Sequence, residues 1–125
     1  MTVVYGISNC DTVKKARAWF AAYGVAYDFY DFKKQGVPKD RLLAWASAVG
    51  WDKLINRSGT TWRQLDTAAQ ASAQMPDGAM AVALANPSVI KRPVIEWGAG
   101  ALKERSKDTI TVGFDEQRWR ELLAK

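Results

Sequence analysis

The chain opens on a run rich in β-branched and aromatic residues, Thr2-Val3-Val4-Tyr5-Gly6-Ile7, which predicts a strand. After Ser8, Asn9 and Cys10 the apolar period changes. Val13, Ala16, Trp19, Phe20 and Tyr23 fall on one helical face, with Gly24 as the expected C-cap. Tyr27-Asp28-Phe29-Tyr30-Asp31-Phe32 is aromatic and partly alternating, which predicts a second strand. Strand, helix and strand within about 32 residues make a βαβ unit, so the two strands are expected to be parallel.

From Pro38 to Asn86 the pattern turns helical. Leu42, Trp45, Ala46 and Val49 share one face, and Gly50 ends it. Arg57-Ser58-Gly59-Thr60-Thr61 is read as a polar loop, and Trp62 to about Gln74 as one weakly patterned helix. Asp77 is the expected N-cap of a helix through Ala85, which Asn86-Pro87 stops. Val94-Ile95-Glu96-Trp97 and Thr109-Ile110-Thr111-Val112 predict two more strands, joined by a polar hairpin or loop over residues 98–108. Asp115 is placed to cap a last helix through Lys125, with Phe114 and Trp119 at the N′ and N4 positions of a hydrophobic staple. The order is βαβ, a helical insert over roughly 38–86, then ββα.

Length and composition then narrow the chemistry. A chain of 125 residues is expected to form one domain with a core that needs no disulfide. It has no histidine and one cysteine, Cys10. A Ser–His–acid triad, a histidine-held zinc or haem, a four-cysteine zinc site and an internal disulfide are therefore excluded. No acidic cluster suggests a metal site, and none is expected. The net charge is +5, and residues 1–62 hold +4 of it. No block of five like charges occurs, so a small anionic ligand is expected rather than nucleic acid. The longest apolar run, Ala79 to Ala85, is too short to span a bilayer, so no membrane partner is expected. The start of the chain lacks a basic segment followed by an apolar core, and with a single cysteine this points to the cytoplasm.

Cys10 has two readings on the residues alone. A free cysteine is often a small buried hydrophobe. One that follows a strand and opens a helix meets unpaired N–H groups and the positive end of the helix dipole, which favour the thiolate. Lys14 and Lys15, one turn on, are expected to add positive potential. Arg57, in its loop, and Arg92, before Pro93, supply planar guanidinium groups suited to oxyanions and carboxylates.

At this point the motifs become specific. Gly6-Ile7-Ser8-Asn9-Cys10-Asp11-Thr12-Val13-Lys14-Lys15-Ala16 closely resembles the N-terminal motif of the ArsC/Spx-like family, and within it the YffB branch. Tyr30 to Lys34 with Gly36, Leu54 to Arg63, Pro87 to Ile95 and Val112-Gly113-Phe114 resemble the branch's later segments. The resemblance implies an α/β thioredoxin-like fold with a mixed four-stranded sheet and a helical insert. It implies a reactive Cys10, with Arg92 before a cis Pro93 and Arg57 as the arginine of the insert loop. Asn9, Thr12, Lys15 and Pro93 are then the expected substrate-binding residues.

The branch is proposed to contain glutathione-dependent thiol reductases. A monomer with no bound cofactor and glutathione as co-substrate is the leading expectation, since one cysteine cannot resolve its own mixed disulfide. The partner is glutathione or another small anionic thiol or oxyanion. Arsenate reduction and Spx-like binding to RNA polymerase are the competing expectations. Arsenate reductases of the family use a third arginine after the third strand, where this chain offers only Arg105. The Cys-x-x-Cys switch of Spx proteins cannot form, because Val13 stands at its second position. Residues 98–108 look longer than the branch needs.

Overall fold

The computed structural model describes residues 2–98 and 110–123. The expected loop over 98–108, Arg105, Thr109 and the end of the last helix at Lys125 lie wholly or largely outside the described residues. The chain divides into two compact units, one from the described parts of 1–32 and 92–125 and one from 33–91.

The first unit is built on a sheet. β1 (Thr2–Gly6), β2 (Tyr27–Asp31), β3 (Val94–Glu96) and β4 (Ile110–Val112) lie in the order β2-β1-β3-β4. β1 and β2 are parallel, with Val4 opposite Phe29. β1 and β3 are antiparallel, as are β3 and β4. This is the mixed four-stranded α/β sheet of the thioredoxin-like class.

Helix α1 (Asp11–Ala22) buries Val13, Ala16, Trp19 and Phe20, the stripe that the periodicity predicts. It begins close against β1, because Gly6 has no Cβ: one built there would lie 2.7 Å from a Val13 methyl. At its other end the chain turns through Gly24, at φ +66°. Tyr23, the last residue of the stripe, is 49% exposed and stacks on Trp19 at 4.2 Å between ring centroids.

The last helix, α8 (Glu116–Leu123), begins as the sequence predicts. The Arg118 N–H donates to the Asp115 carboxylate at 3.1 Å, and Phe114 packs edge-on against Trp119 at 4.8 Å. α1, α8 and the sheet enclose a core of Val4, Ala16, Trp19, Phe20, Ile95, Trp97, Trp119 and Leu122. The indole N–H of Trp97 is satisfied by the Thr111 hydroxyl, as a buried polar group requires.

Past β2, from Phe32 at the end of the first unit's opening stretch through the second unit, the chain is helical and differs from expectation in four places. Phe32 leaves the strand and opens a short helix, α2 (Phe32–Gln35); burial of its ring, 6.3 Å from that of Tyr5, overrides its strand propensity. α3 (Lys39–Val49) ends at Gly50 as expected, but a further turn, α4 (Trp51–Leu54), follows at once. The helix expected from Trp62 to Gln74 is broken into α5 (Thr60–Gln64) and α6 (Thr67–Ser72). Leu65 is extended there, and the Asp66 carboxylate caps a new start by accepting from the Ala69 N–H at 2.8 Å.

Finally, α7 (Pro76–Ala85) is capped by Met75, with Asp77 inside its first turn rather than at its N-cap. Pro76 takes the N1 position, where its missing N–H and fixed φ suit a helix start. Asn86 ends α7, and Pro87–Val89 form one turn of 3-10 helix. α6 and α7 approach so closely that a Cβ on Gly78 would stand 1.9 Å from the Ser72 carbonyl oxygen. Among the described residues no helix is long and apolar enough to cross a membrane.

Candidate active site

After β1 the chain turns through Ser8 and Asn9, and the Cys10 N–H closes the turn on the Ile7 carbonyl at 3.0 Å. Cys10 is the N-cap residue of α1, extended at φ −81° and ψ 128°. Its carbonyl accepts the first helical bond, from the Lys14 N–H at 2.9 Å. The thiol is half-buried and makes no regular capping hydrogen bond. The Val13 and Thr12 N–H groups nonetheless face it, as N3 and N2 donors face any N-cap acceptor.

Two opposed influences act on the thiol. Burial pushes its pKa up. The Val13 N–H, the charge and hydrogen bond of the Arg92 guanidinium, and the Thr12 N–H push it down and prevail. The thiolate is therefore favoured over that of an ordinary cysteine. Arg92 reaches this place because it directly precedes β3, which pairs with β1. The Arg92–Pro93 peptide bond is cis. Pro93 is buried, and its carbonyl accepts the Gly113 N–H at 2.9 Å.

The two lysines lie about one turn along the helix from Cys10. The cation that favours the thiolate is Arg92. Lys14 and Lys15 are exposed, and the Lys15 ammonium lies over the Phe114 ring, 4.3 Å from its centroid. On a helix, a residue five positions after the N-cap has moved more than a full turn away from it. Asn9 and Thr12 are exposed at the same helix start as Cys10.

Arg57 belongs to the helical unit. It sits in the turn 56–59, which is held by the Asn56 N–H on the Val89 carbonyl and the Gly59 N–H on the Asn56 carbonyl. Its guanidinium is 3.5 Å from the Asp52 carboxylate and 5.3 Å from the centre of the Trp62 ring. The structure thus brings together Cys10, Arg92 and the start of α1 in one unit and describes Arg57 in the other. Sequence reasoning passed over Trp62; the signal was its place five residues after Arg57, across one tight turn. Among the described residues no cluster of His, Cys, Asp or Glu could hold a metal.

Fold and site together define a thioredoxin-like α/β protein with a single cysteine at a helix N-terminus. The ArsC family model matches residues 5–122, and the chain belongs to the ArsC family. An uncharacterized protein of Haemophilus influenzae is 36% identical over 99% of this chain and 100% of its own. Among solved structures, the YFFB protein is 41% identical with a TM-score of 0.84, covering 98% of this chain and 99% of that one. An arsenate reductase (ArsC) related protein from Brucella melitensis is 37% identical with a TM-score of 0.69, over 96% and 92% of the two chains.

Proposed function

We propose that the protein is a thiol–disulfide reductase that uses Cys10 as nucleophile and glutathione as co-substrate. The observation that carries this reading is the half-buried Cys10 thiol, favoured as thiolate by helix N–H groups and Arg92. The Cys10 thiolate attacks one sulfur of a disulfide. A new S–S bond forms to Cys10, and the other sulfur leaves as thiolate. The chain has no second cysteine, so two external thiolates must act in turn: the first attacks the Cys10 sulfur and expels the remaining substrate sulfur as thiolate, and the second attacks the sulfur newly joined to Cys10, releasing a disulfide and regenerating the Cys10 thiolate. With glutathione in that role, two glutathione thiols become one oxidised glutathione for each substrate disulfide reduced. There is no histidine to act as base, and with a thiolate already favoured none is needed. Arg92 beside the reacting sulfur, and Arg57 on the insert, are the residues assigned to the ligand's carboxylates.

Arsenate reduction is the second reading. The B. melitensis relative is described as arsenate reductase related, and a thiolate beside a guanidinium also suits an oxyanion. Incubation with oxidised glutathione followed by mass measurement is the test: one glutathionyl group added in the native chain, and none in Cys10→Ser, is expected. Turnover of arsenate with glutathione and glutaredoxin, without such an adduct, would transfer the assignment to the second reading.

The rate of iodoacetamide alkylation against pH should give a midpoint below about 8.5, the value for a free thiol. In Arg92→Gln that midpoint should rise. The sign carries over to stability. A folded-state pKa below the unfolded one stabilises the fold above the unfolded pKa, and this contribution is lost as pH falls through the folded value. A midpoint at or above that of a free thiol would make Cys10 a packing residue.

A further inference from the structure

β2 stands at the end of the sheet, in the order β2-β1-β3-β4, and among the described residues β1 is the only strand that pairs with it. Alternate backbone N–H and C=O groups along its outer side are therefore left without a ladder. We propose that this edge pairs with the same edge of a second copy of the chain, antiparallel about a two-fold axis at Phe29, so that two sheets become one. This dimer departs from the monomer expected from the sequence, and it does not rest on the thiol chemistry of Cys10.

The side chains of β2 specify that register. Strand residues alternate between the two faces of a sheet. Tyr27 and Phe29 lie on the face of α1, where they pack against the core; Asp28 and Tyr30 lie on the other. Asp28 is exposed, and neither its carboxylate nor the Tyr30 hydroxyl has a hydrogen-bond partner among the described residues. In an antiparallel pair centred on Phe29, residue 28 of each copy stands opposite residue 30 of the other. Each carboxylate then meets a hydroxyl donor, and symmetry makes the contact twice. A slip of two residues in one direction sets Asp28 against Asp28, two like charges opposed. In the other direction it sets Asp28 against Phe32, which has left the strand for α2 and is buried. A charge on an edge strand ordinarily keeps other strands away; here it selects one register.

The α1 face agrees. Arg17 lies over the Phe29 ring, 4.2 Å from its centroid, and its Nε donates to the Tyr27 hydroxyl at 3.0 Å. The cation is thus held along the rings of its own strand rather than thrust across the edge. The register leaves Phe29 beside its symmetry mate and sets Tyr27 opposite Asp31 of the other copy. Net charge does not oppose the pairing either. The helical unit carries +4 of the chain's +5, so the unit that presents β2 is nearly neutral.

The test is sedimentation of the full chain over a roughly thousandfold range of concentration, in a thiol-free reductant so that Cys10 forms no disulfide between copies. The mass should rise from one chain to two. Tyr30→Phe and Asp28→Lys should each weaken association, Asp28→Lys by about tenfold, because two contacts are lost at once. Asp28→Lys and Tyr30→Glu should associate weakly alone but pair with each other when mixed, since the new ammonium then faces the new carboxylate. The alkylation rate of Cys10 should be the same in the native chain and each variant, which shows that the fold is kept. A mass of one chain at every concentration overturns the proposal. So does a dimer that Asp28→Lys and Tyr30→Phe leave as tight as before, which would place the contact on another surface.

Discussion

The two units bury different things and carry different charges. In the sheet unit the core is aromatic: Trp19, Phe20, Trp97 and Trp119 interlock with ring centroids 5.1–6.1 Å apart. In the helical unit the buried side chains are mostly aliphatic, Leu42, Leu54, Ile55, Val82, Val89 and Ile90, with Trp45 the large exception. Residues 33–91 hold 8 basic and 4 acidic side chains, so this unit carries +4 of the chain's +5. The thiol therefore sits on the unit with almost no net charge. What lowers its pKa is one placed arginine and two backbone N–H groups, not a general positive field. Local geometry favours the thiolate, and the bulk of the charge lies on the insert.

The largest effect expected from this contrast is on stability. Trp119 is fully buried and touches Trp19, Phe20, Trp97 and Phe114. Trp119→Ala should lower the unfolding free energy by about 3–5 kcal/mol, measured by denaturant titration. Trp62→Ala, at a partly exposed position of the helical unit, should lower it by much less. Equal losses would erase the distinction between an aromatic core and an aromatic surface.

Packing at glycine gives the next contrast. Gly78→Ala replaces a poor helix former and would ordinarily gain about 1 kcal/mol. Here the new methyl meets the Ser72 backbone at 1.9 Å, which cannot rotate away, so a net loss of about 1–3 kcal/mol is expected. Gly6→Ala meets a Val13 methyl at 2.7 Å, a side chain that can shift. It should cost less, while changing the alkylation rate of Cys10 by moving the start of α1. A larger loss at Gly6 than at Gly78 would mean that the β1–α1 contact is the more rigid of the two.

The same difference decides what the sequence made legible. The sheet unit has long periodic elements with strong end signals, and nearly every one of them stands where the pattern puts it. Asp115, Phe114 and Trp119 form the cap and staple that their spacing predicts. The cysteine's place at the helix start, and the arginine before Pro93, were likewise readable, the second through the family motif. The helical unit is made of pieces too short to show a period. Thr60–Gln64 and Thr67–Ser72 bury no side chain, so no apolar stripe marks them, and only the capping carboxylate of Asp66 reveals the break. Lys14 and Lys15 drew the eye by their nearness in sequence, while the cation that lowers the thiol's pKa is Arg92. Pairing by β3 with β1, a contact across more than eighty residues, brings Arg92 to the thiol instead.

Helix caps offer a finer comparison. Asp66 and Asp115 make the same bond to the N–H three residues on, at 2.8 Å and 3.1 Å. Removing such a cap costs about 1 kcal/mol in general. α8 buries Trp119 and Leu122, so the Asp115→Ala loss should appear in global unfolding. α6 buries nothing, so Asp66→Ala should leave the global midpoint almost unchanged and show itself as faster amide exchange in residues 67–72 alone. A global loss for both variants would show that α6 is coupled to the fold more tightly than its burial suggests.

The smallest effect should be that of Arg57→Gln on stability. Its ion pair with Asp52 spans 3.5 Å between side chains that are 37% and 98% exposed, and exposed pairs of this kind contribute little or nothing measurable. The cation–π contact with Trp62 adds at most a modest term at an open site. The expected change in unfolding free energy is within about 0.5 kcal/mol, as for surface substitutions in general. The same variant should weaken binding of an anionic ligand measurably. That combination separates the charges of the helical unit from Arg92, whose loss alters the thiol itself. A fall of several degrees in thermal midpoint with ligand affinity retained would make Arg57 a structural residue of its turn, and the +4 of the insert would then need another use.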